Sequence, residues 1–162
     1  MRAVRYVYIL ALVVWLGGMV VLGAVVAPAT FQVLQASDPA NGRELGGAVF
    51  TTILERFHDV AYAAGALLLL TLAAMAVLGP RPRGLAARAA LVTIMLAVAL
   101  YSGVVVLRGA ENIRREVGGL PSRLPAGDAR RVRFDQLHAL STRLMMINIV
   151  GALVLLAWEA RE

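Results

Sequence analysis

The sequence predicts an all-α integral membrane protein, a four-helix antiparallel bundle, and three observations predict it. Residues 6–27, 60–79 and 89–107 hold no charged side chain, and residues 139–158 hold only Arg143. Each run supplies the roughly 20 apolar residues a helix needs to cross about 30 Å of hydrocarbon. The stretch Gly79-Pro80-Arg81-Pro82-Arg83-Gly84 is a tight turn that makes the second and third spans a hairpin. The spans are drawn at about 6–27, 60–79, 87–108 and 139–158 of one 162-residue domain. Nothing outside them is long enough to fold alone.

In the first span, Arg2 and Arg5 precede the apolar run and Ala27-Pro28-Ala29 follows it. A cleavable signal has an apolar region of about 7–15 residues, so this longer run is expected to be retained. Asp38-Pro39-Ala40-Asn41-Gly42 reads as a turn. Beyond it, Leu45, Val49 or Phe50, Ile53 and Phe57 recur every four residues. That spacing predicts an amphipathic helix over 43–58, lying at the interface and running on into the second span. Gly118-Gly119-Leu120-Pro121 and Pro125-Ala126-Gly127-Asp128 break the last connection, and residues 129–143 extend the fourth span outward as helix. Small residues on every span, such as Gly17, Gly18, Ala61-xxx-Gly65, Ala86-xxx-Ala90, Ala99-xxx-Gly103 and Gly151, suit close helix packing. They serve either the bundle itself or a homo-oligomer seam.

Composition narrows the function. The absence of cysteine excludes disulfides, thiolate metal sites and thiol redox chemistry. The net charge of +6 comes entirely from arginine on the basic side. These arginines flank spans and sit in connections, so the bilayer and its anionic headgroups are the expected partners and nucleic acid is not. Arg2, Arg5, Arg81, Arg83, Arg88 and Arg161 are dense in short segments. Their density, and the arginines before the first span, favour both termini on the cytoplasmic side of a bacterial-type plasma (inner) membrane. Tyr6, Tyr8 and Trp158 would then share one aromatic belt.

The fourth span carries the most informative pattern. Phe134, His138, Ser141, Met145 and Asn148 are spaced 4, 3, 4 and 3 and so form one stripe on a helix face. Asn148 falls near mid-bilayer, where a polar group must face protein or water. Two readings stay open: an interhelical hydrogen-bond seam, or the lining of a ligand or transport cavity. His58 and His138 begin the second and fourth spans, hence the same side, and could hold a metal or bracket a haem. Arg143 either snorkels to headgroups or pairs with Glu55, Asp59 or Glu111. The methionines read as packing filler. No nucleophile elbow, phosphate loop or zinc-protease helix occurs, so no enzyme is expected.

Trp15-Leu16-Gly17-Gly18-Met19 with Val26-Ala27-Pro28-Ala29-Thr30-Phe31 resembles the first-helix pattern of the transmembrane protein 205-like family, domain of unknown function 4149. Ala48-Val49-Phe50, and Phe134 to Ser141 followed by Asn148, are similar to its interfacial and last-helix patterns. The resemblance implies a four-helix membrane protein without an established activity, with Trp15, Gly17, Gly18, Pro28 and Phe31 packing helices. A weaker resemblance is to copper-resistance membrane domains and small haem-linked oxidases of porphyrin synthesis. Those carry a first-helix histidine, and this first span has none.

The expectation is therefore a non-enzymatic polytopic membrane protein that binds or passes a small ligand or ion through a cavity lined by the last helix. It carries no cofactor on this reading. The alternatives are a metal- or haem-binding (haem or copper) redox or resistance component using His58 and His138, and a structural partner subunit.

Overall fold

The computed structural model describes residues 2–78 and 83–161. Among them the chain is helical, with no strand. Four helices are long and apolar enough to cross a membrane: α1 (Arg2–Ser37), α2 (Gly42–Leu78), α3 (Leu85–Val117) and α4 (Ala129–Glu159). Residues 79–82 of the expected hairpin turn lie outside the described residues.

Helix ends fall where local chemistry stops them. Asp38 accepts hydrogen bonds from the backbone N–H groups of Ala40 (3.1 Å) and Asn41 (3.0 Å), closing the turn into α2. Residues 43–58 form the first part of α2, which runs on without a break to Leu78. α3 runs ten residues beyond its π segment, to Val117. Gly118, at φ 66°, ends it. The N–H groups of Gly118 and Gly119 return to the carbonyls of Arg115 and Arg114, so two of the last carbonyls find partners. Asp128 caps α4 by accepting from the Arg130 N–H at 2.8 Å. Hydrogen bonds from the Arg130 side chain and backbone hold the Asp128 carboxyl at about 2, below its ordinary 3.8.

The core sits where the four helices converge. Tyr8, Leu12, Trp15 and Met19 of α1 meet Ala61, Leu68 and Leu72 of α2, Val92, Met95 and Ala99 of α3, and Ala152 and Leu155 of α4. Spacings of three, four and seven place each set on one helix face. Small residues set the approach: a Cβ on Gly65 would lie 2.8 Å from Leu96, and one on Gly151 would lie 2.8 Å from the Met95 sulfur.

Several expectations change here. Tyr8 is fully buried in the core rather than in an interfacial belt, whereas Tyr6 is exposed. Ala86 and Ala90 are exposed, because Arg88 is the residue that α3 turns inward. Of the residues assigned to helix packing, Trp15 is core, and a Cβ on Gly18 would overlap the Phe57 ring. A Cβ on Gly17 would meet nothing within 4 Å, since that residue faces away from its neighbours. Pro28 is exposed, and its effect is on the backbone of its own helix.

Candidate functional site

Two of the four helices are not regular. α1 widens into a π-helical segment at Leu22–Val26, where the Ala27 N–H reaches back five residues to the Leu22 carbonyl. Pro28 follows it. Proline has no N–H to offer and its ring crowds the carbonyl four residues back, so the extra residue relieves that clash. α3 widens likewise at Ser102–Leu107. There Gly103 lets α2 come close: a Cβ at that position would lie 2.7 Å from the His58 ring and would overlap the Tyr62 hydroxyl. Tyr62 donates to the Ala99 carbonyl at 3.5 Å, just before the wide turn.

Between these segments the helices part around a cavity of about 300 Å³. α1 contributes Trp15, Met19 and Leu22, and α2 contributes Phe50, Leu54, Phe57 and His58. From α3 come Ser102, Val106, Glu111 and Arg114. The α4 wall includes Phe134, His138, Ser141, Met145 and Asn148, so the whole stripe lines one space. From Phe134 to Asn148 that wall is about 21 Å long at helical rise.

The walls are mainly apolar, and polarity is graded along them. Glu111 and Arg114 mark the outer end. Arg114 donates to the Thr51 hydroxyl at 3.0 Å and the Glu44 carbonyl at 3.4 Å, and lies 3.8 Å from Glu111. It reaches them over Gly47, where a Cβ would stand 3.0 Å from its guanidinium. Thr51, Glu111 and Arg114 also line an outer polar groove with Glu44, Glu55 and Arg115. His58 donates Nδ1–H to the Leu54 carbonyl at 2.8 Å, which leaves Nε2 as its free nitrogen in the neutral ring. His138 lines the cavity and is exposed.

Asn148 closes the inner end. It is 4% exposed, and its Oδ1 is buried without a donor among the described residues. The hydrogen-bond seam expected along this stripe is not what the helices form. The side chains of His138, Ser141 and Asn148 make no interhelical hydrogen bond among the described residues, because the helices stand apart there and enclose space.

His58 and His138 share this cavity. No cluster of three or more His, Cys, Asp or Glu suited to a metal occurs among the described residues. Arg143 is exposed and forms no ion pair among the described residues, so pairing with Glu55, Asp59 or Glu111 does not occur.

The buried charges lie at the other end of the helices. Arg88 of α3, 1% exposed, donates to Glu159 of α4 at 2.8 Å. Arg5 of α1 donates to the same carboxylate and to the Glu159 carbonyl. The Arg88 guanidinium lies 5.7 Å from the centroid of the Trp158 ring. Trp158 packs beside Gly84, whose φ of 67° and ring contact both suit glycine. Reading the sequence missed this cluster, although Arg5, Arg88 and Glu159 flank spans at the ends a bundle would bring together.

The family model described as Domain of unknown function (DUF4149) matches residues 10–117. The chain belongs to the DUF4149 family. No curated protein and no solved structure matches it. The DUF4149 segment holds most of α1 and all of α2 and α3, hence both π segments and three walls of the cavity. The α4 stripe lies beyond it.

Proposed function

We propose that this DUF4149 protein is a non-enzymatic membrane bundle whose cavity binds or passes a small lipophilic molecule. The observation that carries this reading is the mainly apolar space of about 300 Å³ between the helices, into which a few polar side chains converge. Cavities of that size and lining are the usual form of small-molecule sites. Two wide helical turns border it, and such turns recur at functional sites.

The same reading has the helices running antiparallel. Supporting this are Arg5, Arg88 and Glu159 gathered at one end, and Phe31 with Phe50 and Arg114 with Thr51 at the other. Leu45 and Val49 remain exposed on the first turns of α2, as a segment resting among headgroups requires. A plasma membrane with both termini cytoplasmic, and kinship with transmembrane protein 205-like proteins through the α4 pattern, belong to the proposal too.

The test is a titration of the purified protein with 1-aminoanthracene, a small lipophilic fluorophore. Saturable enhancement at one site is expected, together with quenching of Trp15, and Ser141→Phe should weaken both at least tenfold by filling the space. Fluorophore uptake no greater than that of empty detergent micelles, or indifferent to Ser141→Phe, overturns the reading.

A further inference from the structure

We infer that the molecule seated in this cavity is electrically neutral and carries its hydrogen-bonding group, a hydroxyl or amide N–H, at the inner end against Asn148. The inference rests on the ligand cavity proposed above and names the chemistry of its occupant. Trp15, Met19, Ala61, Ala99 and Met145 surround the inner end, and none of them carries charge. Asn148 and Ser102 are the buried polar groups there, and the Asn148 Oδ1 has no donor from the protein among the described residues. An acceptor shut away from water without a donor is destabilising, and the structure carries that penalty until something donates to it.

The charged groups sit elsewhere. Arg114 and Glu111 stand at the outer end, already engaged with Thr51 and with each other. A carboxylate or ammonium driven to the inner end would therefore lose its hydration without gaining a counter-ion. A hydrocarbon bearing one hydroxyl or amide loses little, because its chain lies on the apolar wall and its single donor meets Oδ1 once the carboxamide turns toward the cavity. The carboxamide also offers donors of its own, so a hydroxyl can both give and accept. An alkane or a donor-free ether of equal length fits the wall and leaves Oδ1 unmet.

The experiment uses the full chain with Trp158→Phe, so that Trp15 is the sole tryptophan and reports occupancy. 1-Decanol, decyl methyl ether and decane are titrated into this protein and into its Asn148→Leu form in the same nanodiscs. Comparing the two proteins cancels each probe's partition into lipid. The alcohol's advantage over the ether is expected to fall about tenfold in Asn148→Leu, the worth of one buried hydrogen bond, while decane binding is retained. Asn148→Ser should recover part of the advantage, and Asn148→Ala carries the same expectation as Leu should the latter fail to fold. An advantage identical in the Asn and Leu proteins, with decane still bound, overturns this inference and leaves the ligand cavity standing. Trp15 unmoved by all three probes in every protein overturns both.

Discussion

One end of this bundle and its middle treat polar groups in opposite ways. Where α1 and α3 begin and α4 ends, Glu159 takes both Arg5 and Arg88, Trp158 covers the guanidinium, and the neighbouring core is filled. About halfway along the same helices, the chain leaves Asn148 unmet and opens a cavity beside it. A bundle with hydrogen bonds and ion pairs to spare at one end has not failed to find a partner in its middle. The contrast teaches that regular packing and a vacant site coexist in one set of helices when two of them change register partway.

The largest effect should come from the filled end. Glu159→Ala removes the carboxylate that Arg5 and the buried Arg88 share, and breaking a buried pair costs about 3–5 kcal/mol. Arg5→Gln, at the exposed partner of the same carboxylate, should cost under about 1 kcal/mol. Thermal unfolding in detergent measures both, and equal losses would mean that burial does not distinguish the two arginines. Added methyl groups sharpen the comparison at intermediate size. Gly151→Ala should lose about 1–3 kcal/mol against the Met95 side chain. Gly23→Ala, which meets only the Met145 methyl at 3.5 Å beside the cavity, should be neutral within about 0.5 kcal/mol. Similar costs at both would erase the packing difference between the two regions.

The smallest effect lies outside the bundle, at the cap of α4. The folded Asp128 carboxyl titrates at about 2, below the ordinary 3.8. Its contribution to stability is therefore fully present above about pH 4 and lost as pH falls through about 2. Asp128→Asn should remove that pH dependence with little change at neutral pH, as read from acid unfolding followed by circular dichroism. An acid profile unchanged in Asp128→Asn would show that the cap does not titrate with the fold.

Much of the architecture was legible because hydropathy adds up over a span. Some twenty apolar residues give a signal that no single side chain can cancel, and four such helices are present. The ends at Gly118 and Asp128 were legible from turn and cap chemistry, which is local. The stripe from Phe134 to Asn148 follows from helical periodicity alone. Periodicity does not say whether that face meets a neighbour or a void, and the seam reading of Asn148 gave way at that point. The pair Arg88–Glu159 joins positions 71 residues apart and depends on how each helix is rotated about its own axis. That rotation is decided by tertiary packing, as Ala86 and Ala90 show by facing outward. Pro28 signals the first wide turn, whereas residues 102–107 contain no proline or other breaker beyond Gly103 to announce the second.

The surplus length of the helices has one further consequence. α1 and α2, of 36 and 37 residues, are each about 54 Å long at helical rise, against about 30 Å of oil. Crossing that thickness upright would leave some two-fifths of each rod beyond the acyl chains. In α3 and α4 the arginine-rich turns gather toward Val117 and Ala129, so the proposed arrangement puts the chamber's outer rim at Thr51 and Arg114 in the projecting part. In the membrane arrangement proposed above, reagents too polar to dissolve in lipid reach that rim from solution, while its floor lies deep among the acyl chains.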